Sequence, residues 1–361
     1  MRRNKMKIAL GAAVLASLAL SACTGNVSQP QTTTESAAVQ ETGTSGETAP
    51  TETAPAETNS AETDPTETEM TGDNGSRDEI TFPLGQKIES DAFTGTAYIQ
   101  PMIANEDVYN FPATNSITFE PGARSSWHSH GGMVMLVTGG VGYYQEEGKP
   151  AQIIRKGDVI ESTPGVKHWH GASPDSWFSQ MVIYDSHYTP ENGEVPEEEP
   201  VADDYYENLE TEEYQGRTVT ADNRFMFQRA AEPVSFDTFS GPSYVSSILE
   251  EGNVADAPGL HYVVFDPGVI NNWHTHEGGQ ILIATDGIGY HQLEGQPVEV
   301  LYPGDVALCP PGVKHWHGGS ADTEFAHIAV NTNPELTGLE WFDRISDEDY
   351  AALPTEKQAN E

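Results

Sequence analysis

The chain has 361 residues, and its 56 acidic side chains against 17 basic ones give a formal net charge of −39 at pH 7. This charge excludes nucleic acid as a partner and opposes adsorption to anionic lipid. The length is sufficient for two domains of ordinary size together with a tail.

The first 23 residues have the pattern of a secretory signal peptide. Basic residues within the first seven positions precede an apolar run at residues 8–20, which is too short to cross a bilayer comfortably. The sequence LSAC at residues 20–23 resembles a bacterial lipobox, and we therefore expect lipidation at Cys23. The alternative is an ordinary signal peptide with an incidental cysteine. With Cys23 lipidated, Cys309 has no disulfide partner and is expected to be a small, buried apolar residue.

Residues 24–80 consist mainly of Thr, Glu, Ser, Pro, Ala and Gly, with almost no large apolar side chains. Such a segment cannot bury enough surface to offset its loss of chain entropy, so it is expected to be a disordered tether. We predict an extracytoplasmic protein that is held to the bacterial cell membrane only through its lipid anchor.

The remainder of the chain contains one motif pattern twice. His128 and His130 precede His274 and His276 by 146 residues. A second group precedes its counterparts by 147 residues: Gly157, Pro164, Gly165, His168 and His170 match Gly304, Pro311, Gly312, His315 and His317. Spacing this regular predicts a duplicated domain.

Short alternating segments separated by turn residues run through both copies. Examples are SITFE (116–120), HYVVF (261–265), ILIAT (281–285) and FAHIAV (325–330). This pattern predicts an all-β barrel or sandwich in each copy, with no competing long helix. We place the two domains at residues 81–190 and 231–350, joined by an acidic segment at 191–230 that has room for one short helix.

Each His-x-His pair offers two imidazoles to one point inside a β-structure. Residues i and i+2 of a strand point to the same face, and imidazole is the commonest metal ligand of proteins near neutral pH. The duplication therefore predicts two candidate metal sites.

The motifs resemble those of a known family. The pattern G-x5-H-x-H-x3-Q-x6-G from Gly268 to Gly287 resembles the first cupin motif, and G-x6-P-G-x2-H from Gly304 to His315 resembles the second. The longer phrases are similar to those of the small bacterial manganese-dependent cupins that act as (R)-selective hydroxynitrile lyases, and to cupins named with carboxymuconolactone decarboxylases. The resemblance implies a bicupin with two tandem double-stranded β-helix, or jelly-roll, barrels.

The resemblance also implies a ligand set in the second copy, formed by His274, His276, Gln280 and His315. Three neutral imidazoles and an amide oxygen suit a divalent metal, and four protein ligands leave open positions for a substrate. Mn is the expected ion, with Fe, Zn, Ni and Co as alternatives. Gln280 stands where many cupins have Glu, and a neutral amide favours polarisation of an oxygen over redox cycling.

Three further histidines are candidates for catalysis in the second copy. His327 lies where the lyase-like cupins have a pocket histidine, and an unligated imidazole can act as a general base or acid. His261 begins a strand whose odd positions share one face, and we expect it to line the same pocket. His317 follows His315 by two residues and is expected in the pocket or behind a ligand. The alternative role for His327 and His261 is a hydrogen-bonded histidine of the core.

The first copy departs from this pattern. Met133, Gln180 and Asn115 stand in place of Gln280, His327 and His261. His128, His130 and His168 remain, but a thioether is a poor ligand for hard divalent ions. A metal site at these three histidines is one alternative, and a purely supporting role for the first copy is the other.

We therefore expect a lyase in which the second copy cleaves or forms a C–C bond in a small hydroxy or carbonyl compound. One alternative is a dioxygenase or isomerase that uses Fe or Mn. Another is a lipoprotein that binds a small ligand or a metal without turnover. A small molecule is the only partner class expected, and packing of the two barrels against each other stays open.

Overall fold

The structure is a computed structural model that describes residues 76–104, 108–185, 187–190, 197–216, 224–234 and 236–355. All of these residues belong to one compact unit of the chain. The predicted signal peptide, Cys23 and nearly all of the tether lie outside them, so those predictions stay predictions. The helices of the described residues are all too short or too polar to span a lipid bilayer.

The first barrel, as described, follows a one-turn 3-10 helix at Arg77–Glu79 and consists of eleven strands. These are β1 (Gln86–Lys87), β2 (Phe93–Thr94), β3 (Ala97–Ile103), β4 (Thr114–Phe119), β5 (Arg124–Ser125), β6 (Met133–Glu146), β7 (Ala151–Arg155), β8 (Val159–Ser162), β9 (His168–Ala172), β10 (Phe178–Tyr184) and β11 (Thr211–Glu213). The order along the sheet is β1-β3-β4-β10-β6-β9-β5-β2, with β7 and β8 also paired to β6 and β11 paired to β7. The long strand β6 therefore connects both walls of this barrel.

The second barrel consists of two five-stranded sheets. Its strands are β12 (Ser243–Leu249), β13 (Leu260–Phe265), β14 (His274–His276), β15 (Gln280–Gly287), β16 (Gly289–Leu293), β17 (Glu299–Leu301), β18 (Val306–Cys309), β19 (His315–Gly319), β20 (Phe325–Asn331) and β21 (Leu339–Trp341). The sheet orders are β12-β13-β20-β15-β18 and β17-β16-β19-β14-β21. The all-β prediction is confirmed, with short helices only at α1 (Asp203–Glu207) and α2 (Asp347–Ala351) besides the 3-10 turn.

A glycine makes the bend between the two walls possible in each copy. Gly287 has φ +70°, and a Cβ there would lie 1.8 Å from the carbonyl oxygen of Glu324. Gly140 has φ +68° and would meet the carbonyl oxygen of Trp177 at the same distance. Only glycine adopts this conformation at such close backbone approach, so the same bend is built into both barrels.

Successive side chains of a strand point to opposite faces of the sheet, and the apolar ones form a separate layer on each face. In β20, Phe325 and Ala329 belong to the cluster inside the second barrel, whereas Ala326 and Ile328 belong to a different cluster on the outer face of the same sheet. A period of two residues produces this division directly. It also places His327, between Ala326 and Ile328, on the interior face.

The outer apolar layer joins the two barrels. One cluster of buried side chains contains Val134 and Leu136 from β6 together with Ile281 and Ile283 from β15. Each barrel therefore presents one sheet face to the other, and burial of both faces stabilises the pair through the hydrophobic effect.

The acidic connecting segment adds structure to the first barrel. β11 pairs in parallel with β7, and the carbonyl oxygen of Glu199 accepts a hydrogen bond of 2.7 Å from the backbone N–H of Trp127. Arg124 is 4% exposed and pairs with Asp203 of α1 at 2.6 Å. Residues 197–213 thus pack on the first barrel, as residues 339–353 do on the second.

Candidate metal centre and pocket of the second barrel

The four predicted ligands of the second barrel come together at one end of its interior. His274 and His276 lie on β14, His315 lies opposite His274 at the start of β19, and Gln280 begins β15. The ring centroids of His274 and His315 are 4.2 Å apart, and those of His274 and His276 are 5.1 Å apart. One nitrogen from each of the three histidines lies within 4.8 Å of the other two.

Backbone carbonyl groups orient two of these rings. His274 Nδ1 lies 3.0 Å from the carbonyl oxygen of Asn272, and His315 Nδ1 lies 3.1 Å from that of Val313. A carbonyl oxygen can only accept, so Nδ1 carries the proton in both rings. The lone pair of each Nε2 is therefore available to a metal, as in the outer-shell arrangement that metal-binding histidines commonly have.

A side-chain hydrogen bond fixes the orientation of the Gln280 amide. Its Nε2 donates to Asn331 Oδ1 at 3.1 Å, which leaves Oε1 3.2 Å from His315 Nε2. With the proton of His315 on Nδ1, both of these facing atoms are acceptors. Two lone pairs directed at each other inside a protein are unfavourable unless a cation lies between them.

Burial keeps the three imidazoles neutral. It lowers the pKa of His274 to about 3, that of His276 to about 4 and that of His315 to about 2. Neutral imidazole is the form that binds metal, so the site needs no deprotonation at physiological pH.

His317 and His327 lie next to each other in the interior, beyond the metal ligands. Their ring centroids are 4.9 Å apart, and His317 is 5.5 Å from His274. Asn271 Nδ2 donates to His317 Nε2 at 3.0 Å while its Oδ1 accepts from the backbone N–H of His317, so His317 carries its proton on Nδ1. Among the described residues, neither ring nitrogen of His327 nor His317 Nδ1 has a hydrogen-bond partner.

The environment of His327 is apolar. The ring is fully buried, with Phe325 and Phe265 at centroid distances of 5.4 and 5.9 Å. Burial lowers the pKa of His327 to about 4, so the ring is neutral and able to accept a proton. Three buried ring nitrogens without hydrogen-bond partners in such surroundings favour the binding of a polar ligand.

His261 faces the same interior. It lies opposite Ala329, which is two residues from His327 on β20, and it shares its face with buried Val263 and Phe265. Its side chain is only partly buried. The structure therefore places His261 on the pocket side, without a contact to the four ligands.

A chain of hydrogen-bonded polar side chains, which the sequence did not predict, lies beside the ligands. His291 Nδ1 lies 2.7 Å from Glu299 Oε2, and His291 Nε2 lies 3.1 Å from Cys309 Sγ. Cys309 is buried as expected, but it is a hydrogen-bonding group and not merely an apolar residue. Tyr144 and Ser162 occupy the positions of His291 and Cys309 in the first copy. This difference between the two copies is visible in the sequence and points to the polar chain.

A second missed feature is the strand that covers the ligands. β21 pairs with β14, and the Trp341 ring lies 4.6 Å from the His274 ring at an angle of 32°. The aromatic side chain therefore shields the metal-facing histidines from one side.

The first barrel brings His128, His130 and His168 together in a similar manner. Their ring centroids are 4.5 to 5.3 Å apart, and one nitrogen from each lies within 4.8 Å of the others. His128 and His168 also donate from Nδ1 to backbone carbonyl groups. Met133, which is fully buried, provides no oxygen where Gln280 does in the second barrel.

In the inner pocket of the first barrel, two polar side chains are hydrogen-bonded to each other. Gln180, at the position of His327, donates from Nε2 to His170 Nδ1 at 2.9 Å. His170 is the counterpart of His317, so the position left open in the second barrel is filled in the first.

The donor set of the second barrel fits a divalent metal. Three neutral imidazoles and one amide oxygen converge with their lone pairs inward, and this is the mixed N/O environment that first-row divalent ions prefer. The three histidines of the first barrel form a similar but smaller set.

Comparison with known proteins agrees with this geometry. The cupin domain family matches residues 261–330. An (R)-mandelonitrile lyase of Granulicella tundricola is 38% identical over 114 residues, which make up 32% of this chain and 86% of that protein.

Two solved structures are also similar to parts of this chain. A cupin-like protein of Thermotoga maritima has 38% identity and a TM-score of 0.34, and the match covers 36% of this chain and 98% of that one. The oxalate decarboxylase of Lactobacillus farciminis has 13% identity and a TM-score of 0.44, with 77% and 96% covered. Because this chain is 38% identical to a relative and covers 86% of it, the chain belongs to the cupin superfamily.

Proposed function

We propose that the second barrel is a metal-dependent lyase that cleaves or forms a C–C bond in a small hydroxy or carbonyl compound. The observation that carries this proposal is the pairing of two features in one interior. Acceptor atoms of Gln280 and His315 face each other at 3.2 Å, and His317 and His327 offer unfilled ring nitrogens next to them.

His274, His276, Gln280 and His315 would hold the metal, and Mn is the ion we propose. A divalent ion bound there supplies Lewis-acid polarisation of a substrate oxygen. The lack of a carboxylate among the four side chains supports this role, because neutral ligands leave the full charge of the ion in place.

His327 is the proton carrier of the proposed reaction. In the cleavage direction, a neutral ring nitrogen takes the proton of the substrate hydroxyl, and the C–O bond becomes a carbonyl. The adjacent C–C bond breaks with its electron pair on the departing carbon, which receives the proton from His327. The Nδ1–H of His317 is placed to hold a polar group of the substrate.

Apolar side chains exclude water from this chemistry. Phe265 and Phe325 surround His327, while Trp341 covers His274. A dry interior strengthens each hydrogen bond and prevents protonation by solvent.

Mandelonitrile is the first substrate to test, because the Granulicella tundricola relative is named for it. The assay follows benzaldehyde release from each enantiomer by the full-length chain loaded with Mn, with His327→Ala as the control. We expect faster release from one enantiomer than from the other, and no oxygen uptake. Release that equals the control would refute the reaction proposed, and stoichiometric oxygen uptake would favour a dioxygenase.

We also propose that the mature chain is anchored outside the cytoplasm through a diacylated Cys23, with residues 24–80 as a tether. Cys23→Ser should block processing or release the chain from the membrane fraction, because the acyl chains provide the anchor. A wild-type chain that is cleaved normally and recovered in the soluble fraction would contradict this proposal.

A further inference from the structure

A groove of about 730 Å³ lies on the outer face of the second barrel, and the proposed function does not use it. Trp273, Gln292, Lys314, Phe342 and Asp349 are among its lining residues. Trp273 and Lys314 directly precede His274 and His315, the first residues of β14 and β19. The groove therefore lies behind the ligand-bearing strands, on the opposite face from the metal centre.

The groove has an aromatic and cationic floor. Lys314 Nζ lies 5.3 Å from the ring centroid of Trp273 and 4.6 Å from that of Phe342. Gln292 Oε1 accepts a hydrogen bond of 2.8 Å from Trp316 Nε1, which fixes the direction of the amide.

The first barrel shares three of these residues and has a tyrosine above them. Trp127, Gln145 and Lys167 are the counterparts of Trp273, Gln292 and Lys314. Above them lies Tyr205, whose ring centroid is 6.4 Å from that of Trp127. The Tyr205 hydroxyl exchanges hydrogen bonds with the amide of Gln145, at 2.8 Å from Nε2 and 3.1 Å from Oε1.

The helix that follows the groove fixes the correspondence of positions. Tyr206 of α1 donates to the carbonyl oxygen of Ala172 at 2.6 Å, and Tyr350 of α2 donates to that of Gly319 at 2.8 Å. Ala172 and Gly319 are equivalent residues, at the ends of β9 and β19. The residue before each tyrosine must then also be equivalent, so Asp349 occupies the position of Tyr205.

Asp349 does not fill the groove. It accepts a hydrogen bond of 2.7 Å from Ser346 Oγ, at the start of its own helix. Within the described part of the chain, Trp316 is the side chain that donates to Gln292 Oε1, whereas Gln145 Oε1 also receives the hydroxyl of Tyr205. The second barrel thus keeps the aromatic side chain of Trp273 and the acceptor oxygen of Gln292, but it has no tyrosine above them among the described residues.

We infer that this groove is a binding site for a small phenolic compound. The ring would lie against Trp273 and Phe342 beside the Lys314 cation, where aromatic surface and a cation–π contact are both available. The hydroxyl would donate to Gln292 Oε1, in the same geometry as Tyr205 to Gln145. The first barrel shows that the shared Trp and Gln positions accept a phenol, because Tyr205 lies against Trp127 and Gln145 there.

The test is a titration of the purified full-length chain with 4-fluorophenol, followed by fluorine NMR. A half-exposed ring makes few contacts, so we expect saturable binding with a Kd on the order of a millimolar. Fluorobenzene, which lacks the hydroxyl, should bind roughly fivefold more weakly, since it leaves the Gln292 acceptor unused.

Asp349→Tyr supplies the decisive variant. It should weaken 4-fluorophenol binding by about tenfold or more, and the variant should still fold, because the first barrel has tyrosine at this position. Asp349→Asn, which keeps the groove open, should bind as the wild type does. Equal binding by Asp349→Tyr would place the phenol elsewhere, and no saturable binding by the wild-type chain would overturn the inference.

Discussion

One difference between the inner pockets of the two barrels lies at the position of Gln180 and His327. In the first, Gln180 donates to His170 Nδ1. In the second, His327 has no such partner among the described residues, and His317 Nδ1 is also unfilled. The inner pocket of the first barrel also has buried atoms without a partner in the described part of the chain, His170 Nε2 and Gln180 Oε1, but in the second barrel both ring nitrogens of His327 lack a partner. Since unsatisfied buried polar groups cost free energy, His327 is the residue of the two pockets that gains most from a polar ligand.

The first prediction separates the proton carrier from the metal ligands. His327→Ala should retain the bound metal and lower turnover by about 10²- to 10⁴-fold, the usual contribution of a positioned acid or base. His315→Ala should lose metal and turnover together. Metal analysis alongside single-turnover kinetics measures both; loss of metal from the His327 variant would make that residue a ligand, and unchanged turnover would make it a packing residue.

The resemblance to the cupin family is what indicated His327 and Gln280 as candidate site residues, because each stands at the family's spacing from a histidine motif. It could not predict the contacts of His291 with Glu299 and Cys309, since these depend on which strands pair and in what register. Spacing along the chain carries no direct information about neighbours across a sheet.

At the scale of elements, β21 is the part of the second barrel that covers the metal centre. It is paired with β14 along its whole length, from His274 opposite Trp341 to His276 opposite Leu339. We therefore expect the rate of metal exchange at the proposed site to depend on a strand that contributes no ligand.

The second prediction concerns that strand. Trp341→Ala should increase the rate of metal release to a chelator by roughly tenfold, because the groups around a metal control solvent access and ligand orientation. The adjacent exposed residue provides the control, and Glu340→Ala should release metal at the wild-type rate. Equal rates for both variants would show that the indole ring does not shield the site.

The strands of both copies could be predicted from alternation and turn residues, and the interior face of β20 follows from its period. The role of residues 197–213 could not, because this acidic segment has no alternating pattern. Its attachment depends on single contacts, such as Arg124 with Asp203 and Glu199 with Trp127.

At the scale of the whole molecule, the two barrels share one apolar layer and differ in their sites. Val134 and Ile281 belong to the same buried cluster, although they come from different copies. The duplication therefore provides each barrel with a partner face, while the second barrel alone keeps the four-ligand set. Sequence spacing indicated the two copies but not the face through which they pack.

The third prediction is a loss of stability in acid. Burial lowers the pKa values of nine described histidines, including those of His130, His276 and His327 to about 4. Between about pH 4 and 6.5 the unfolded chain binds more protons than the folded chain, so stability is full above pH 6.5 and falls as the pH decreases.

The measurement is the melting temperature of the metal-free chain at pH 7 and pH 5. High salt keeps repulsion among the many acidic side chains screened at both values. Each unit of pKa difference corresponds to about 1.4 kcal/mol for the group concerned, so a clear decrease is expected at pH 5. A melting temperature that is unchanged or higher at pH 5 would contradict the burial of neutral histidines.

The central claim is that the second barrel is the metal centre, and metal content tests it most directly. Changing His274 and His276 together to Ala should remove nearly all tightly bound Mn from the full-length chain. The matched change of His128 and His130 to Ala should leave most of it, because Met133 gives the first barrel no oxygen ligand where Gln280 serves the second. If the first-barrel pair removed as much Mn as the second-barrel pair, the proposed division between the two barrels would be wrong.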